Sequence, residues 1–208
     1  MRSDRPKRTR SPQWQRRPGQ RRDELLDAAL KLFRAGGVAE TTVAEITDAA
    51  GVAKGSFYRY FSSKDEMLSA LKARFFAEMA ERAVEVVALD PTLDLLGMLD
   101  VGISVAVRYL CDNADLLGVW NQVEDPVAAY QDTARGLGGF ATLYEAAITE
   151  GVAAGEFDCA DPAQTARLIV YGIQGAVTAT ILDAGARNPD RMIAAAVDLH
   201  HRALGVRR

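Results

Sequence analysis

Eleven consecutive positions, 54–64, gather hydroxyl and cationic side chains, Lys54, Ser56, Tyr58, Arg59, Tyr60 and Lys64, interleaved with Phe57 and Phe61. Tyrosine hydroxyls and ammonium groups suit phosphate oxygens, and a guanidinium suits a guanine edge through two parallel bonds. Phe57 and Phe61 are four apart and share one helix face. That face is expected to pack on Leu30, Phe33 and Ile46. The opposite face then shows Lys54, Ser56, Tyr58, Arg59 and Tyr60 to a polyanion. A solvated face that happens to be aromatic is the plainer alternative. Catalytic groupings are missing. No nucleophile–base pair is evident, and "GVAKGS" at 51–56 lacks the spacing of a phosphate-binding loop. Cys111 and Cys159 match no metal or redox spacing and read as two reduced thiols of a cytosolic protein. His200 and His201 are adjacent, so on a helix they point to different sides, with no acid or cysteine at ligand spacing. The expectation is no metal, no cofactor and no enzyme.

Helices must position these groups. Leu26, Ala29, Leu30 and Phe33 recur at three- and four-residue steps from Asp23 onward, giving one apolar stripe. Gly36 and Gly37 stop it. Thr42 and Glu45 are spaced for a capping box opening a short helix over Val43 to Ala50. Gly51 ends that helix, and a second runs from Lys54 to about Tyr60. Two short helices joined by a tight turn have the dimensions of a helix-turn-helix, with Ala49, Ala50 and Ala53 small enough for close approach. Ser63 and Glu66 form another capping-box spacing, for a long helix reaching Ala88. Asp90-Pro91, Asp125-Pro126, Asp161-Pro162 and Asn188-Pro189 read as four cap-then-proline starts. Gly155 and Gly185 are stops. No alternating strand pattern and no internal repeat appears. The fold class is all-α, with about nine helices.

The net charge of −3 hides a division. Residues 1–64 carry 14 Lys/Arg against 7 Asp/Glu, while residues 65–208 carry 11 against 21. The first third has the charge of a polyanion binder and the remainder would repel one. Residues 1–20, with three prolines, many basic residues and a lone Trp14, have neither helical nor strand period. They read as a disordered tail or as a basic arm lying along phosphates or in a minor groove. The arginine-rich start has no apolar core of a signal peptide behind it. The apolar helix candidates are interrupted by charge, as at Asp100 and Arg108, and no run is expected to span a membrane.

The string "TTVAEITDAAGVAKGSFYRYFSSKDEML", residues 41–68, closely resembles the amino-terminal domain of TetR/AcrR-type transcriptional regulators. The pattern is carried by Ala50-Gly51-Val52-Ala53-Lys54-Gly55-Ser56, then Phe57, Tyr58, Arg59-Tyr60, Phe61 and Ser63-Lys64-Asp65, without a break. The resemblance covers roughly residues 22–68. It implies that Thr42 binds backbone phosphate, that Lys54, Gly55, Ser56 and Arg59 lie in the major groove, and that Tyr58 and Tyr60 grip phosphates. Lys64 would contact another phosphate at the positive end of its helix. Direct base readout is expected from Arg59 and Lys54. The resemblance also implies a cytoplasmic homodimer on a near-palindromic double-stranded DNA operator, responsive to a small-molecule effector. The domains would be a basic arm at 1–20, a helix-turn-helix head of three helices at 21–68, and a helical ligand-binding and dimerisation domain at 69–208.

The acidic two thirds hold no diagnostic motif. An effector pocket among helices four to eight would draw on Met98, Ile103, Tyr109, Trp120, Phe140, Tyr144 and Tyr171, each of which could equally be plain core. Trp120 with Asn121 and Gln122 combines an aromatic wall with uncharged polar groups. Few cations fall mid-helix there, favouring an apolar or cationic effector over a phosphorylated one. The last two helices, about 162–184 and 189–204, are expected to pair with those of a second subunit. Gly172, Gly175, Ala176 and Ala179 suit close helix approach, between chains or within one. Two functions follow: a ligand-responsive repressor, or a DNA-binding factor without effector that uses its basic arm constitutively.

Overall fold

Thr42 shows how local chemistry sets the first boundaries. Its hydroxyl accepts the Glu45 N–H at 3.2 Å, and Glu45 Oε2 accepts the Thr42 N–H at 2.8 Å. Both bonds of the expected capping box are formed, and α2 (Val43–Ala49) starts there. In this computed structural model, residues 18–120, 126–183 and 188–206 are described. The basic arm up to residue 17, Asn121, Gln122, Asp125 and Gly185 lie outside them. Nine helices are present among the described residues and no strand. They are α1 (Pro18–Gly36), α2, α3 (Lys54–Phe57), α4 (Lys64–Ala88), α5 (Leu95–Asp112), α6 (Ala114–Trp120), α7 (Pro126–Ala153), α8 (Pro162–Leu182) and α9 (Pro189–Ala203).

Several boundaries differ from expectation, each for a local reason. α1 begins at Pro18, so the tail is shorter than 20 residues; proline is tolerated in a first turn because its missing N–H has no partner there. Asp90-Pro91 starts no helix. The Asp90 carboxylate accepts the Thr92 N–H and hydroxyl instead, and Asp94 caps α5 by accepting the Gly97 N–H at 2.7 Å. Ser63 does cap α4, but Glu66 reaches past it to the Ser62 N–H and hydroxyl, so that box is not reciprocal. Asp161 and Asn188 cap α8 and α9 as expected.

A continuous apolar core runs through the whole molecule. Leu25, Leu26, Ala29, Phe33, Ile46, Phe57 and Phe61 form its part in the head. Met67, Leu68, Leu71, Phe75, Phe76 and Met79 carry it along α4. α4 packs on α7 and α5, α7 packs on α8, and α9 lies on α5. Close approach of α4 and α7 depends on Gly136, where an added Cβ would lie 2.6 Å from the Phe76 ring. Polar ties join the head to the rest: Arg74 of α4 reaches Asp27 of α1 at 2.8 Å, and Arg34 of α1 reaches Asp115 of α6 at 3.2 Å.

Candidate nucleic-acid interface and effector cavity

The turn between α2 and α3 is a closed Schellman arrangement. Val52 N–H donates to the Thr47 carbonyl at 2.9 Å and Gly51 N–H to Asp48 at 3.1 Å. Gly51 has φ +66°, a left-handed conformation that favours glycine. α3 is shorter than expected: after Phe57 the N–H groups of Tyr60 and Phe61 both turn back to the Phe57 carbonyl. Phe57 is fully buried and Phe61 nearly so, their ring centroids 5.7 Å apart. The Arg22 guanidinium lies 5.2 Å over the Phe61 ring. With the phenylalanines so anchored, Lys54, Gly55 and Arg59 are exposed and Tyr58 is 58 % exposed. Ser56 is half-buried, and half-buried Tyr60 packs against the core, so only part of its ring is free. Ala49 and Ala53 are exposed, so their small size does not serve helix approach. An open polar groove of about 190 Å³ runs between Arg21 and Glu24 of α1 and the turn at Ala50–Ala53 and Ser56.

Two expected phosphate ligands have other occupations. The Lys64 ammonium donates to the carbonyls of Val38, Ala39 and Thr41, at 2.9, 3.1 and 2.7 Å. Three donors are all that a lysine has. Without DNA, Lys64 therefore clasps the α1–α2 loop through all three of its donors. The Thr42 hydroxyl likewise donates to Glu45 Oε2 at 2.8 Å, so its proton is spent inside the capping box. The Thr42 backbone hydrogen bond, then the side-chain one, hold the Glu45 carboxyl below its ordinary pKa. Hydrogen bonds from the Ser62 hydroxyl and backbone do the same for Glu66.

The seven described residues expected in one effector pocket do not converge. A cavity of about 20 Å³ lies between α4, α5, α7 and α8. Ile103 and Phe140 line it with Met79, Leu137, Ile169, Ile173 and others; Gln174 is its one polar side chain. Trp120 and Tyr109 instead flank Phe75, each ring centroid 4.8 Å from it. The Tyr109 hydroxyl bonds Glu78 at 3.0 Å, and that of Tyr171 donates to the Ala134 carbonyl at 3.2 Å. Tyr144 sits edge-on to His200 and Met98 is half-buried, neither lining the cavity. Periodicity placed these residues on inward faces, but several inward faces meet different neighbours.

The small residues of α8 do share a surface. Gly172, Gly175, Ala176 and Ala179 are exposed, with Leu168 beside them 66 % exposed. Gly172 and Ala176 continue into an open apolar groove shared with Ala195 and Leu199 of α9. α8 meets the length and composition of a membrane span, a test that core helices of soluble proteins pass as well. Finally, an acid does lie beside the paired histidines: Asp100 of α5 is 2.7 Å from His200 Nε2 and 2.8 Å from His201 Nε2. Sequence spacing cannot show a partner one hundred residues away.

The family profile described as bacterial regulatory proteins, tetR family, matches residues 25–71, which span α1 to the start of α4. The HTH-type transcriptional repressor KstR2 of Rhodococcus jostii (strain RHA1) is 43 % identical over 68 residues, 33 % of each chain. The chain thus spans about a third of the length of that curated relative. A fatty acid metabolism regulator protein of Bacillus subtilis (strain 168) is 26 % identical over 164 residues, 77 % of this chain and 83 % of that one. The crystal structure of the transcriptional regulator FadR from Bacillus subtilis in complex with stearoyl-CoA superposes with a TM-score of 0.69 at 21 % identity, covering 87 % of this chain and 98 % of that one. Residues 25–71, the head that holds this turn, thus match the tetR family profile, and the helical body shares its fold with the Bacillus subtilis regulator.

Proposed function

We propose that this protein is a cytoplasmic homodimeric repressor that binds a near-palindromic operator and is released by a small apolar effector. The observation that carries the DNA-binding half is the exposed Lys54–Tyr58–Arg59 face, set by two buried phenylalanines beyond a glycine turn. Arg59 and Lys54 read bases; Tyr58, Ser56 and the Gly55 backbone meet the sugar–phosphate chain. Tyr60 contributes its hydroxyl edge. Thr42 offers a phosphate its hydroxyl only if that proton leaves Glu45. Lys64 holds the loop that presents Thr42. The exposed α8 face, with α9, pairs two subunits so that their heads address successive half-sites.

An apolar effector suits the cavity, whose lining holds no carboxylate to balance a cation. A volume of about 20 Å³ is room for little more than one water, so the effector must part the surrounding helices. That requirement supplies the coupling. A ligand favouring a parted body, at Met79 of α4, shifts the population away from the head spacing that fits DNA. A long acyl chain, as in the stearoyl-CoA bound to the Bacillus subtilis protein, is the first class to test.

The tight cavity also favours a second reading, a DNA-binding factor without effector that relies on its basic arm. One experiment separates them: footprinting of the purified protein on DNA flanking its own gene, with and without long-chain acyl compounds. Protection of a near-palindrome that is lost on adding the acyl compound supports the repressor. Protection unchanged by every apolar compound tried favours the constitutive factor, and uniform protection of all DNA overturns base readout by Arg59.

A further inference from the structure

Asp100 on α5 and His200 and His201 in the last turn of α9 bring one carboxylate and two imidazoles to a single point. Asp100 Oδ1 is 2.7 Å from His200 Nε2 and 2.8 Å from His201 Nε2, and Oδ2 is 3.1 Å from the latter. The three groups offer ligand atoms that all fall within 4.8 Å of one another. Adjacent residues on a helix diverge by about 100°. Here α5 crosses so that its carboxylate fills the gap between rings 4.6 Å apart and nearly perpendicular.

Both histidines address the same carboxylate. His201 is aligned with both of its oxygens. His200 is wholly buried, with Nε2 2.7 Å from Asp100 Oδ1. The Tyr144 hydroxyl, on the ring that stands edge-on to His200, is buried without a hydrogen-bond partner, and a buried polar group so left beside ligand-type side chains calls for a reason.

We propose that His200, His201 and Asp100 bind a divalent late first-row transition ion, Zn²⁺ foremost, clamping α9 to α5. Two imidazoles and one carboxylate suit such an ion; Mg²⁺ and Ca²⁺ want oxygen alone, and Cu(I) wants sulfur. With bonds of about 2.1 Å, adjacent donors around an ion are about 3.0 Å apart in six-coordination and about 3.4 Å in four-coordination. The two His–Asp100 approaches, 2.7 and 2.8 Å, reach that range by opening a few tenths of an ångström for six-coordination and about 0.6–0.7 Å for four, with the two imidazole donors within 4.8 Å of each other. The His201 and Asp100 side chains are 21 % and 32 % exposed, so an ion can enter from solvent. Three protein ligands leave further coordination to water or to the Tyr144 oxygen.

The test is a calorimetric titration of Zn²⁺ into tag-free full-length protein stripped with a chelator, followed by Co²⁺ absorption spectroscopy. The expected result is one Zn²⁺ per chain, a Co²⁺ ligand-field spectrum, and a melting temperature that rises with the ion. His201→Ala, at a partly exposed position, and the near-isosteric Asp100→Asn should each weaken Zn²⁺ binding by at least about tenfold while retaining the helical circular dichroism. Cys111→Ser should bind as the parent does. No saturable binding by the parent, or equal binding by His201→Ala and Asp100→Asn, would overturn the proposal and leave the cluster a buried hydrogen-bonded group.

Discussion

Arg59 and Lys64 illustrate how two cations five positions apart acquire different work. Arg59 is exposed on the face proposed to read DNA, whereas the Lys64 ammonium lies on three carbonyls. Arg59→Ala is expected to weaken the preferred operator by about 1–3 kcal/mol and relax one base position, measured by binding titration against operator variants. Lys64→Met should lower the thermal stability of the head first, because three carbonyl bonds to a charged donor are lost. Operator binding by Lys64→Met at low temperature, with the head folded, should approach the parent's. A folded Lys64→Met head whose affinity falls alike on every DNA sequence would restore Lys64 to the phosphate ligands. Acid acts through Glu45 and Glu66. Their folded pKa values lie below the ordinary 4.5, so their contribution is present above that pH and lost as pH falls through the lowered values. The head should therefore melt progressively earlier as pH drops below about 4.5, and Glu45→Gln should flatten that dependence in thermal melts.

Among the helices, α4 has two ends with two duties. Its first residue clasps the head loop, and Met79, fifteen residues on, lines the cavity, a span of about 22 Å along one helix. Between them Phe76 fits against α7 only because position 136 is glycine. Gly136→Ala should cost on the order of 1–3 kcal/mol by overpacking, read as a lowered denaturant midpoint with unchanged slope. α3 depends on anchorage in the same way: four residues cannot hold a helix by themselves, and Phe57 and Phe61 fasten it to the head core. Phe61→Ala should cost about 3–5 kcal/mol and abolish operator binding through unfolding of the head, seen as a separate early transition. A stable and DNA-competent Phe61→Ala protein would reverse the assignment of the two faces.

Across the molecule, charge and exposed apolar surface divide the tasks. Residues 1–64 are net basic and residues 65–208 net acidic, a division that suits a polyanion at the first third only. α8 carries an apolar outer stripe that one chain leaves in water, with Leu168 66 % exposed and the small residues beside it. Ala176→Glu, in the middle of that stripe, should yield a folded monomer by sedimentation with operator affinity reduced at least tenfold, because one head then binds one half-site. A dimeric Ala176→Glu protein would move the interface elsewhere.

What could be known without the fold was the part written in short-range patterns. Caps, glycine stops and three- and four-residue apolar steps act within one turn of chain, so the all-α class, the capping box at Thr42, the turn at Gly51 and the two faces of residues 54–61 were legible. Local reading failed where a nearby side chain had two choices: a boundary moved when Asp90 turned onto Thr92, and the box at Ser63 stayed open when Glu66 turned onto Ser62. Contacts between distant segments had no such signature. Only packing decided that Lys64 meets the Val38–Thr41 carbonyls, that Trp120 joins Phe75 and not the cavity, and that Asp100 stands between His200 and His201. Helix periodicity says which residues face inward; which neighbour each then meets depends on how whole helices cross, and that is fixed by the joint packing of the core.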